Sequence, residues 1–232
     1  MVIPLALALA LQQAPAREDP ARVIWIATRA VEGDSAARVS AHWSTRLRRD
    51  STDRAAELGL ATIARLTYQF SLAERRYAHL VPAAPTTADG YLLYARLGQA
   101  EMHRANARFQ QAGDAFARAA VDAEAVGDSA AWARALVGLA RVRARSQGPA
   151  TVESLWVRAA PLIGNEDLGL RADFHCARAS VLALQGAPGT QTEAQEGAEL
   201  AQRAGDARLR AGCRYWLAAA LERRGQQGEA RE

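Results

Sequence analysis

The sequence contains no lysine: all 29 basic residues are arginine, set against 25 acids. That absence removes the P-loop lysine, the ATP-anchoring lysine of protein kinases and any Schiff-base amine. Only two cysteines are present, Cys176 and Cys213. They are too few for a four-thiolate zinc site or a disulfide-rich scaffold. The four histidines, His42, His79, His103 and His175, are scattered, and no two stand four apart with a glutamate between them. A zinc-protease helix is therefore excluded. There is no Gly-x-Ser-x-Gly elbow and no glycine-rich phosphate loop after a strand. His175 and Cys176 are adjacent, but neighbours on a helix point about 100° apart and do not form a thiol–base pair. Cys176 reads as a small buried hydrophobe. We expect no catalytic residue, no cofactor, no metal and no small-molecule substrate.

Aromatic residues are also scarce, 6% of a chain that is half apolar. Alanine makes up much of the difference, which favours closely packed helices over sheet. The net charge is only +4, with arginines and acids interleaved along the chain. That pattern reads as a solvated mixed-charge surface and argues against a nucleic-acid footprint.

The apolar run from Val2 to Leu11 is too short to cross a bilayer, which takes about 20 residues. It has the length of a signal-peptide core, and Ala14-Pro15-Ala16 offers small residues for cleavage, although a positive segment before it is missing. Residues 1–18 are therefore set apart from the fold, and export to a periplasmic or extracellular space is favoured over a cytoplasmic location.

The rest of the chain repeats. The stretches "GLATIARL", "LGQAEMHR", "GLARVRAR", "CARASVLA" and "YWLAAALE" align Ala61, Ala100, Ala140, Ala179 and Ala218, in steps of 39, 40, 39 and 39. Each unit reads as two helices. In the first, a helix over 57–66 turns near Tyr68-Gln69 into a second over about 72–80, with Ser71-x-x-Glu74 as a capping box and Pro82 and Pro85 beyond it. Phe70, Ala73, Tyr77 and Leu80 then share one helix face, as do Phe109, Ala112, Phe116 and Ala119. Thr190-x-x-Glu193 reads as another capping box, and Gly225 as the last turn. Gly127-Asp128, Gly164-Asn165 and Gly205-Asp206 join one unit to the next, glycine past a helix end and the acid or amide at the following start. The units fall at 52–88, 89–127, 128–165, 166–205 and 206–232, after a divergent hairpin over 19–51. The chain reaches Glu232 early in a second helix, which points to a gene that continues.

These residues carry a resemblance to tetratricopeptide repeats. Leu60-Ala61, Phe70, Ala73, Tyr77 and Pro85 match the consensus in the first unit, Leu139-Ala140 in the third, and Leu217-Ala218, Gly225 and Ala230 in the fifth. The period of about 39 exceeds the usual 34 or so, as in longer bacterial variants; HEAT-like repeats, at about 40–47, are the runner-up. The resemblance implies an all-α fold, a right-handed α–α superhelix (solenoid) of about five to six helix-turn-helix repeats. It also implies a non-catalytic protein-interaction scaffold, the sensor or adaptor part of a bacterial regulator. Two alternatives are a regulatory arm of a protease, histidine kinase or cyclase lying beyond residue 232, and an RNA-binding helical array. Self-assembly through the last hairpin is a further possibility.

In proteins similar to this one, first-helix side chains flanking the small residue line a concave groove. Carried over, these are Leu58, Thr62, Arg65, Tyr94, Leu97, Glu101, Arg104, Arg134, Val137, Arg141, Arg145, Asp173, Cys176, Ser180, Tyr215 and Glu222. The family's lysine-and-asparagine carboxylate clamp is absent, because Leu58 and Thr62 hold its first positions. The arginines in the middle suit an acidic or C-terminal peptide. The partner is thus expected to be a protein or peptide, with no membrane span and no nucleic acid. Cys176 and Cys213 fall on first helices of adjacent units, two residues out of register, and whether they pair is left open.

Overall fold

The structure is a computed structural model and describes residues 18–81 and 88–223. The leader expected over 1–18, apart from Glu18, lies outside these residues, as do Pro82, Pro85, Gly225 and Ala230. Among the described residues every regular element is helical, and no helix is long and apolar enough to cross a membrane. The chain divides into two compact units that meet in sequence between Met102 and His103.

In the first unit, α1 (Pro20–Glu32) and α2 (Ala36–Arg49) form one hairpin, α3 (Arg54–Leu66) and α4 (Phe70–Leu80) the next, and α5 (Gly90–Ala105) begins a third. Asp19 caps α1 by accepting the Ala21 N–H at 3.1 Å, and Pro20 takes the first helical position, where its missing N–H is harmless. Asp53 caps α3 through the Ala56 N–H, at 3.0 Å. Helix α3 packs on α1, α2 and α4, so all ten residues from Ala55 to Ala64 are buried.

The packing rests on a size match. The wholly buried ring of Trp43 on α2 lies against Gly59 on α3 so closely that a Cβ there would collide with it. Tyr77 on α4 does the same to Gly98 on α5. An aromatic from the second helix of one hairpin thus seats on a glycine of the next first helix. Ridges meet grooves at close range only where one side has no side chain.

The second unit contains α6 (Phe109–Val126), α7 (Ser129–Ser146), the short α8 (Glu153–Ala159) between 3-10 turns at Pro149–Thr151 and Ala160–Leu162, α9 (Leu168–Gln185), α10 (Thr190–Ala204) and α11 (Ala207–Arg223). Phe116 of α6, wholly buried, seats on Gly138 of α7, repeating the match of the first unit. Prolines at 149 and 161 confine α8 to two turns, since each denies the ladder an N–H. The first helices α7, α9 and α11 pack on one another in sequence, and α10 packs on both α9 and α11.

Gly127 and Gly205 adopt left-handed φ values of 78° and 71°, while Asp128 and Asp206 accept the N–H groups of Ala131 and Leu209. Other expected punctuation is corrected. Asp167, not Asn165, caps α9. At the first hairpin Asp34 adopts a left-handed φ of 54°. The two capping boxes do not form. Helix α4 already starts at Phe70 with Gln69 as its cap, which puts Ser71 inside the first turn. At α10 the Thr190 hydroxyl donates to the Ala187 carbonyl, and Glu193 points across to α9.

Candidate interaction surface

The sixteen residues expected to line a groove separate by burial. Leu58, Thr62 and Val137 are fully enclosed, and Tyr94, Leu97, Cys176 and Ser180 are buried. These seven side chains are turned into the packing between helices and not to the surface. The reason is register. The small residue on which each first helix is packed is the glycine two positions before the aligned alanine, Gly59, Gly98 and Gly138, so residues beside it face neighbouring helices. Thr62 shows the consequence: its hydroxyl donates to the Leu58 carbonyl at 2.8 Å and lies 3.5 Å from the Tyr77 hydroxyl.

Arg65, Glu101, Arg104, Arg134, Arg141 and Asp173 are half-buried, and Arg145, Tyr215 and Glu222 are exposed. Arg65 donates to the Tyr77 hydroxyl at 3.4 Å. Burial opposes its charge, but the fields of Tyr77 and Glu101 outweigh that and raise its pKa above the ordinary arginine value.

Arg134, Arg141 and Arg145 form one row on α7. Steps of seven and four residues keep them within about 40° of one another over roughly 16 Å of helix. Helix α9 answers the first two. Arg134 pairs with Asp167 at 3.4 Å, and Arg141 with Asp173 at 2.6 Å while also reaching its carbonyl at 3.5 Å. The arginines expected to wait for an acidic ligand are thus largely engaged within the fold, and Arg145, one turn further on, is the exposed end of the row. On α11 the Tyr215 ring stands 65% exposed, edge-on to Trp216 with centroids 4.9 Å apart.

Two other charge networks join helices. Glu57 of α3 receives Arg76 at 2.8 Å and His79 Nδ1 at 3.0 Å, both from α4. Glu193 of α10 receives His175 Nδ1 at 2.8 Å and Arg178 at 2.9 Å, both from α9. His79 and His175, far apart in the sequence, thus each meet a glutamate on the packed helix.

Among the described residues no group of three or more His, Cys, Asp or Glu side chains is placed to hold a metal ion. Set beside known proteins, the chain matches no family model, no curated protein and no solved structure.

Proposed function

We propose that the chain is a non-catalytic interaction scaffold, built from stacked helical hairpins of tetratricopeptide type as a right-handed solenoid, and that it binds an acidic peptide segment. The observation that supports the scaffold reading is the recurring seat of an aromatic on glycine, at Gly59, Gly98 and Gly138, spaced 39 and 40 residues apart. Such stacking lets each hairpin bury a face it has no means to bury alone, and it leaves a pre-organised surface that orders little on binding.

The binding face we assign is the row on α7, with Arg145 as its open end. A ligand carboxylate meets Arg145 directly and extends the alternation of charge that Asp167 and Asp173 begin. Arg141 serves to hold α7 to α9, so its reversal also places two carboxylates together.

The test is fluorescence anisotropy with a labelled Glu/Asp-rich peptide. Arg145→Glu is expected to weaken binding at least about tenfold, in line with loss of a charge-assisted contact. Arg118→Glu on the exposed side of α6 makes the same change in net charge and is expected to have a much smaller effect. Equal effects of the two variants, or no binding by the unaltered chain, overturn the reading.

A further inference from the structure

The two cysteines, two residues out of register by the repeat count, come together in the fold. Cys176 lies on α9 and Cys213 on α11, helices that pack directly on each other. Both thiols are free and buried, and Cys176 is the neighbour that most strongly perturbs the Cys213 thiol. Gly197 of α10 makes the approach possible. A Cβ there would stand 2.9 Å from Cys213 Sγ and 3.1 Å from the Cys176 amide nitrogen, so any side chain would intrude between the helices of this contact. A Cβ on Gly212 would in turn lie 3.9 Å from Cys176 Sγ. The α9–α10–α11 junction is therefore closed by two sulfurs and a glycine.

We propose that Cys176 and Cys213 form an intrachain disulfide under oxidising conditions, a covalent staple between α9 and α11. The oxidant is a small-molecule or protein disulfide. The Cys176 thiolate attacks one sulfur of the donor and expels the first donor thiol. The Cys213 thiolate then attacks the Cys176 sulfur of the mixed disulfide and expels the second. Two protein S–H bonds are lost, one S–S bond forms, and the donor disulfide is reduced to two thiols.

The environments assign the order. Cys213 is wholly enclosed, and its neighbour Cys176, followed by burial, pushes its pKa far up. Cys176 retains 6% of its surface. The guanidinium of Arg141 is the nearby positive charge that favours the Cys213 thiolate, against Asp173, which opposes it. Access controls which sulfur a donor reaches, so Cys176, the less enclosed of the two, meets the donor and Cys213 resolves. The closed loop runs from residue 176 to residue 213 and contains all of α10. Constraining the unfolded chain over that length shifts the local folding equilibrium by up to about 10³-fold.

The full chain is incubated with oxidised glutathione in buffer and again in sub-denaturing urea followed by return to buffer. Intact mass and thiol alkylation are read. The expected product has lost two hydrogens and both free thiols, carries no glutathione and shows a higher urea midpoint that reverts on reduction. Cys213→Ser is expected to accumulate a glutathione adduct on Cys176, and Cys176→Ser to react at least about tenfold more slowly. Circular dichroism confirms that each variant is folded. Stable adducts on the unaltered chain, bonds between chains, or two thiols still free after the urea treatment overturn the proposal.

Discussion

Replacing Gly138 with alanine tests the aromatic seat most sharply, because two known effects oppose each other there. On an open helix surface alanine is favoured over glycine by about 1 kcal/mol. At Gly138 the new methyl falls within the ring of Phe116, touching three of its atoms. Phe116 is wholly buried, so the ring has no solvent to swing into. Overpacking of a closed core costs about 1–3 kcal/mol, and contact with a rigid ring lies at the upper end. The net expectation is a loss of about 2 kcal/mol. Gly113 on the neighbouring α6 provides the control. A methyl there meets only Val142 Cγ1, at 3.7 Å, an ordinary contact. Gly113→Ala is expected to stabilise by about 0.5–1 kcal/mol. The assay is urea unfolding followed by far-UV circular dichroism. In a Phe116→Leu background the ring is gone, and Gly138→Ala is expected to turn neutral or stabilising. A Gly138→Ala variant as stable as Gly113→Ala, or one whose effect is unchanged by Phe116→Leu, refutes the reasoning.

Ala107 adopts φ = 56°, a left-handed conformation that an L side chain occupies at about 1–2 kcal/mol. Ala107→Gly relieves that strain and gives part of it back as chain entropy, so a gain of up to about 1 kcal/mol is expected in the same unfolding assay. Asp89 caps α5 through the Leu92 N–H at 2.9 Å and pairs with Arg54 at 2.5 Å. Burial alone would raise its pKa, but the hydrogen bonds from Arg54 and the Leu92 amide hold it below the ordinary carboxylate value. A depressed folded pKa contributes stability above the unfolded value, near 4, and loses it as pH falls through the folded one. Asp89→Asn keeps an adequate cap and loses the half-exposed ion pair. It is expected to cost about 0.2–1 kcal/mol at neutral pH, shrinking towards zero as pH is lowered through the acid limb of a stability–pH profile.

The helical character of the chain was legible because its signals are local. Alanine content, three-and-four spacing and the Gly-Asp joints all act within a few residues, and Gly127-Asp128 and Gly205-Asp206 behave as that chemistry requires. Where several residues competed for one local role, the reading went astray. Ser71 carries a good cap side chain, but the burial of Ala73, Tyr77 and Leu80 on one face accompanies a start at Phe70 instead. At α10 the cap position falls to Gly189, Thr190 lies inside the helix, and Glu193 is engaged by His175 and Arg178.

Which side chains of the first helices face inward was harder to read, and the cause is a two-residue choice of register. In an alanine-rich helix the aligned alanines and the aligned glycines recur at the same steps, so period alone does not say which is the contact point. The large partner decides it. Trp43, Tyr77 and Phe116 need a residue without a side chain opposite, and only Gly59, Gly98 and Gly138 supply one. Once that register is adopted, Leu58, Leu97 and Val137 move inward. Pairing partners were also out of reach: Arg141 and Asp173 stand 32 residues apart, and nothing local marks Asp173 as the group that occupies Arg141.

The most direct test of the account is a selection of peptides from a random library against the full chain, repeated with Arg145→Glu. Enrichment of Asp- and Glu-rich sequences is expected on the unaltered protein, with loss of that enrichment on the variant. Enrichment of basic or purely apolar sequences, or an acidic enrichment that survives the reversal, contradicts it.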